Sequence, residues 1–279
     1  MKRVVLQRKL VNALMVGLAT ASAVVALVFL GWILATLIRQ GLAGLSVAWF
    51  IELPKPTGEA DAGMANALVG TIQVVAMAIG FGVPIGLAAG IYLAEFGKGG
   101  RLSQVVRFVA DVLLGAPSIV IGVFVYTLMV RPTGHFSGLA GAVALGLLML
   151  PIVTRTTDEM MRLVPVSLRE AALALGAPEW KMVLRVSLKA ALPGITTGIL
   201  LAIARVGGET APLLFTALNS PYWSLNPTEP TATLNVTMFN YAMSPYADWR
   251  AMAWSAALVI TTGVVLLTLL ARATGRKAR

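Results

Sequence analysis

Two charges stand in a segment that otherwise reads as membrane: Arg205 and Glu209, in Ala202-Ile203-Ala204-Arg205-Val206-Gly207-Gly208-Glu209-Thr210-Ala211-Pro212-Leu213-Leu214-Phe215. On one helix they would fall roughly 40° apart and about 6 Å along the axis, sharing a face. An arginine at mid-bilayer costs about 2.5–3.5 kcal/mol by insertion scales, and such residues face a bundle interior or an aqueous cavity. An intrahelical ion pair would offset part of that cost. Three neighbours argue for more than a pair. Gly207 and Gly208 remove bulk beside the charges, so a neighbouring backbone or a solute can come close. Pro212 has no amide hydrogen for the carbonyl of Gly208, so the helix is expected to kink there and free a polar group. Broken helices at membrane depth line protein or water and mark transport sites. A guanidinium donates two parallel hydrogen bonds, which suits an oxyanion such as phosphate. Arg205, Glu209 and Thr210 are therefore the candidate pathway residues, and the expected chemistry is anion passage.

The rest of the sequence excludes most alternatives. The chain has 279 residues, 58% hydrophobic and 12% charged, where a soluble domain carries about 25% charged residues. Lipid is its main solvent. It has no cysteine and one histidine, His135, which removes disulfide, Cys-metal and His-cluster chemistry. No Walker-type phosphate loop is present, since Gly97-Lys98-Gly99 lacks the upstream glycine and the hydroxyl. H-E-x-x-H and G-x-S-x-G are also missing. A transport subunit without its own nucleotide site, binding no cofactor or metal, is expected; uphill transport would then need ATP hydrolysis by another chain.

Six runs approach the roughly 20 apolar residues that a crossing needs: about 11–38, 67–93, 108–130, 139–154, 193–217 and 251–271. The fourth is short and the fifth carries the charges. Basic residues gather at the N-terminus (Lys2, Arg3, Arg8, Lys9), in the second loop (Lys98, Arg101, Arg107), in the fourth (Arg155 to Lys189) and in the tail (Arg272, Arg276, Lys277, Arg279). The positive-inside rule puts all four segments, and both termini, in the cytoplasm. The same division argues against nucleic acid as the partner of a chain with net charge +10. Ala21-Ser22-Ala23 resembles a signal cleavage site, but the apolar run continues to Ile38, beyond a 7–15-residue signal core; an uncleaved first helix is expected. Asp111 reads as interfacial, and Gly115-Ala116-Pro117-Ser118 as a kink at a helix contact.

The fourth inner loop, 155–192, carries helical punctuation. Ser167-Leu168-Arg169-Glu170 reads as a capping box. Ala171 to Leu175 favour helix, Gly176 suits a left-handed end, and Pro178 suits the first turn of a second helix with a basic stripe at Lys181, Arg185 and Lys189. Composition alone allows an amphipathic pair on anionic lipid or a docking knuckle for a cytoplasmic partner. Outside, 218–250 reads as an aromatic-rich loop, and its Asn235-Val236-Thr237 sequon carries little weight.

Glu170-Ala171-Ala172, three residues, Gly176, nine residues, then Val186-Ser187-Leu188 resembles the EAA loop of ABC importer permeases. Lys189 stands where the motif usually has proline, with Pro193 further on. Leu192-Pro193-Gly194-Ile195-Thr196-Thr197-Gly198, Gly208 to Phe215, and Gly115 to Gly122 resemble the phosphate-specific permeases of that superfamily, the PstA family, with likeness from about Ala67 onward. The resemblance implies an all-α membrane protein: one permease domain, 1–279, with the six-helix type I (MetI-like) importer fold in a bacterial inner membrane. It implies Glu170, Ala171, Ala172 and Gly176 as the ATPase contact. The implied partners are a homologous permease (PstC-like), an ATPase homodimer (PstB-like) that holds ATP and Mg, and an outer phosphate-binding protein (PstS-like). Alternatives in view are a permease for molybdate, sulfate or a phosphonate, and a membrane scaffold that transports nothing.

Overall fold

The computed structural model describes residues 2–97 and 99–276; Lys98, Lys277 and Arg279 of the charge map lie outside them. All regular structure among the described residues is helical. In chain order the helices are α1 (Lys2–Ala43), α2 (Val47–Ile51), α3 (Ala65–Phe96, ending in a π turn at Tyr92–Phe96), α4 (Arg101–Gly115), α5 (Ser118–Thr133), α6 (Gly138–Arg162), α7 (Val166–Ala174), α8 (Glu179–Gly207), α9 (Ala211–Leu214), α10 (Leu234–Ala242) and α11 (Ala247–Arg276). Five are long and apolar enough to cross a membrane, or six crossings if the bent pair α4–α5 counts as one.

The third expected crossing is not a kinked helix. α4 and α5 meet at 108° across Ala116-Pro117. Pro117 forces the preceding residue out of the helical region, and both residues are extended, with ψ of 134°. The chain turns a corner there. The second cytoplasmic helix and the fifth crossing, expected as separate elements, form one helix: α8 runs unbroken from Glu179, with a π turn at Val183–Ser187, and stops at Gly207 rather than 217. The expected outer loop contains a helix, α10, most of which is buried.

α3 and α6 form the centre. Gly70, Val74, Ala78, Gly82, Gly86 and Gly90 recur every four residues along α3 and all are buried. Small residues on one stripe let helix backbones approach without a hydrophobic driving force. A Cβ on Gly86 would come within 2.8 Å of the Val153 Cβ on α6. Leu145, Met149 and Val153 of α6, Ala202 and Val206 of α8, and Leu213 of α9 complete this core. α1 packs only near its end, antiparallel to α11, with Gly41 against Leu258 and Gly44 against Ser255; Leu14, Leu27 and Trp32 face outward. At the opposite end from the termini, Asn66 and Gln73 of α3 donate to the carbonyls of Ser220 and Leu225, at 2.7 and 2.9 Å. Trp49 and Tyr241 are buried there, and Tyr241 stacks on Trp249 at 4.8 Å. Burial pushes the Tyr241 phenol above its ordinary pKa, so it stays protonated.

Candidate functional site

α8 ends where the glycine pair begins. Gly208 and Glu209 donate back to the carbonyls of Arg205 and Val206, at 3.2 and 3.1 Å, closing a tighter last turn. Arg205 is therefore in the last turn of α8, while Glu209 lies beyond its end. Pro212 does not kink this helix. It occupies the first turn of α9, where its missing amide hydrogen costs nothing because that amide has no intrahelical partner. Two glycines stop the helix four residues early, so the proline never meets the Gly208 carbonyl. A Cβ on Gly207 would meet no atom within 4 Å, and one on Gly208 would meet only the carbonyls of the preceding turn and the Val264 side chain at 3.6–4.0 Å, so no backbone from another helix uses the space that the glycines leave.

Five ion pairs form among the described residues, and Arg205 with Glu209 is not one of them. Instead both line a cavity of about 210 Å³ with Leu113, Ala116, Pro117 and Ser118. Pro117, expected as a kink, thus forms a cavity wall at the 108° corner. Opposite, α5 packs onto α9 so closely that a Cβ on Gly122 would sit 2.6 Å from the Pro212 Cα. The first turn of α5, with the Ser118 hydroxyl, adds the positive end of a helix to the same wall. The volume far exceeds the ~10–15 Å³ that one water needs. Thr210 is not part of the lining; it precedes α9.

One residue of this site escaped the sequence reading. Asn235, at the start of α10, donates to the carbonyls of Gly207 and Glu209 at 2.9 and 2.8 Å. Those are the polar groups that a broken helix frees, and a side chain from 26 residues on satisfies them. Its sequon signal pointed elsewhere: Asn235 and Thr237 are each 2% exposed, closed to modification.

The knuckle α7–α8 differs in detail from a capping box. α7 begins at Val166 after Pro165, and Ser167 caps nothing. Proline already fixes the entry, and Leu168 donates to the Pro165 carbonyl at 3.2 Å. The exit is a Schellman motif: Ala177 donates to Ala172 at 3.2 Å and Gly176 to Leu173 at 2.9 Å, with Gly176 at φ 79°. Glu170, Ala171 and Gly176 are exposed and Ala172 half-buried, beside outward-facing Leu168, Leu173, Leu175 and Trp180. Large exposed apolar side chains grouped on one segment are a feature of interaction surfaces.

The family described as "Binding-protein-dependent transport system inner membrane component" matches residues 82–279. The chain is 51% identical over 265 residues to the Phosphate transport system permease protein PstA of Yersinia pestis, covering 95% of this chain and 90% of that one. It is 49% identical to the protein of that name from Haemophilus influenzae, covering 95% and 94%. Among solved structures, a chain of the inward-facing MetNI methionine ABC transporter superposes with a TM-score of 0.64 at 20% identity, covering 77% of this chain and 97% of that one. An amino acid ABC transporter gives 0.58 at 16% identity, covering 76% and 92%. At those identities the structures speak for the fold, which is that of MetI-like importer permeases. The chain belongs to the binding-protein-dependent transport system inner membrane component family, in its PstA branch.

Proposed function

We propose that this chain passes inorganic phosphate through the inner membrane as one permease subunit of an ATP-driven importer. The observation that carries the reading is Arg205, a guanidinium with no carboxylate partner among the described residues, opening on a cavity between two breaks in the fold. An unpaired arginine at membrane depth calls for an anion, water or a second chain. The phosphate named in its relatives supplies the anion. Glu209, on the same wall, competes for the guanidinium and weakens the hold on phosphate enough for release. Thr210 stays a pathway residue through the segment that it shares with Glu209.

A homologous permease (PstC-like) completes the pathway, and an outer binding protein (PstS-like) delivers phosphate. An ATPase homodimer (PstB-like) holds ATP and Mg and docks on Glu170, Ala171, Ala172 and Gly176. The exposed apolar knuckle supports that contact. Both termini then lie in the cytoplasm, and ATP-driven closure rocks the two permeases between inward- and outward-open states.

The test is phosphate uptake by cells whose only copy carries Arg205→Ala. Uptake falls at least about tenfold, equivalent to ~1.4 kcal/mol, with the protein at its normal level. Unchanged uptake removes Arg205 from the pathway, and wild-type cells that take up sulfate or molybdate instead would move the assignment to that oxyanion.

A further inference from the structure

The ion pairs among the described residues all gather at one end of the bundle, where α3, α4, α6 and α7 meet. Asp158 of α6 is the centre, its side chain 2% exposed. Its two oxygens take Arg107 of α4 at 2.5 and 3.3 Å, and one of them takes Arg162 at 2.8 Å. Both arginines also donate to the Leu93 carbonyl, at 3.4 and 3.2 Å. Leu93 lies in the π turn that ends α3, where terminal carbonyls lack helical partners. Two residues on, buried Glu95 stands 3.0 Å from Nη2 of Arg169. The same nitrogen donates at 2.7 Å to the Met161 carbonyl near the end of α6.

Arg169 belongs to α7, one position before Glu170. α7 buries none of its residues, and its apolar hold on the bundle is half-buried Ala172. Arg169 is thus its polar tie to both α3 and α6. From the Asp158 node, α4 runs to Leu113 and Leu114 on the wall of the Arg205 cavity. The Arg169–Glu95 contact, the π turn from Glu95 to the Leu93 carbonyl, Arg107 and α4 therefore join the knuckle to the cavity.

Stability alone explains this cluster poorly, because a buried ion pair gains little over packed apolar side chains. The Glu95–Arg169 contact is also off the hydrogen-bond line: Glu95 Oε1 and Arg169 Nε are both buried with no hydrogen-bond partner. Buried polar atoms in that condition are costly, and a small shift of α7 would turn the contact into a two-pronged pair.

We propose that Arg169, Glu95 and the Arg107–Asp158 pair are positioning residues that carry movement of α7 into α4, and through it to the cavity wall. The inference rests on the reading of α7 as the ATPase contact.

The test uses the assembled importer in lipid vesicles, with its ATPase, second permease and binding protein, and reads phosphate taken up per ATP hydrolysed. Glu95 is buried away from the exposed face of α7, so Glu95→Gln leaves ATPase docking and stimulated hydrolysis in place. Uptake per ATP falls about tenfold, within the usual range of coupling between sites. Arg107→Lys, which keeps the charge and loses the fork, lowers it less. Exchanging the pair (Glu95→Arg with Arg169→Glu) restores more than either single change. An unchanged ratio in Glu95→Gln overturns the linkage, as does failure of both Glu95→Gln and Arg107→Lys importers to assemble, which would make the cluster structural. Wild-type importer that hydrolyses ATP without moving phosphate overturns the proposed function as well.

Discussion

Arg205 and Glu209 lie four residues apart and do not pair, because the helix that would have stacked them ends between them. What holds that broken end is Asn235, whose amide serves two carbonyls at once. Removing the donor leaves both part-buried acceptors without that partner, at up to about 1–3 kcal/mol each. Asn235→Ala should therefore lower the thermal stability of the purified complex and reduce phosphate uptake several-fold. Asn235→Asp should do worse, because a carboxylate cannot donate to a carbonyl and is costly to bury. Equal uptake in both variants and wild type would show that the Gly207–Glu209 turn holds itself.

At the scale of elements, glycine and proline decide where helices stop. Pro84, Pro151 and Pro193 sit inside helices, whereas Pro117 and Pro212 stand at helix starts. Gly115 and the pair Gly207-Gly208 precede the second group, but glycine alone does not end a helix, since Gly82 stands as close before Pro84 within unbroken α3. Gly176 is the third stop, at φ 79°. A β-branched residue there carries strain on the order of 1–3 kcal/mol, and the Schellman turn that aims α7 against α8 would open. Gly176→Val should leave the permease in the membrane but lower the amount of ATPase that co-purifies with it. Full co-purification together with normal uptake would favour a scaffold over a coupled permease.

For the whole molecule, the charge map predicts an orientation that can be measured directly. The chain has no cysteine, so each one introduced is a unique reporter. A membrane-impermeant maleimide should label Ser224→Cys in intact cells and leave Ala177→Cys unlabelled until the membrane is opened. The reverse pattern would invert the topology and place the knuckle outside, out of reach of ATP.

Much of this protein was legible in one dimension. Hydropathy, which depends only on local composition, fixed an all-helical membrane chain. Family-specific runs such as Gly208 to Phe215 fixed the branch, and Gly176 announced its left-handed turn because no other residue adopts one so cheaply. Tertiary structure decided what local rules leave open. Whether a proline kinks a helix or begins a new one depends on which partners satisfy the freed carbonyls, and here the partner is Asn235, brought in on α10. Whether a basic residue is a loop charge or part of a buried node depends on a carboxylate distant in sequence: Arg107 reads as positive-inside until Asp158 is found 2.5 Å away. Solvation and chain propensity are properties of a segment, whereas the pairing of buried polar groups is a property of the packed molecule.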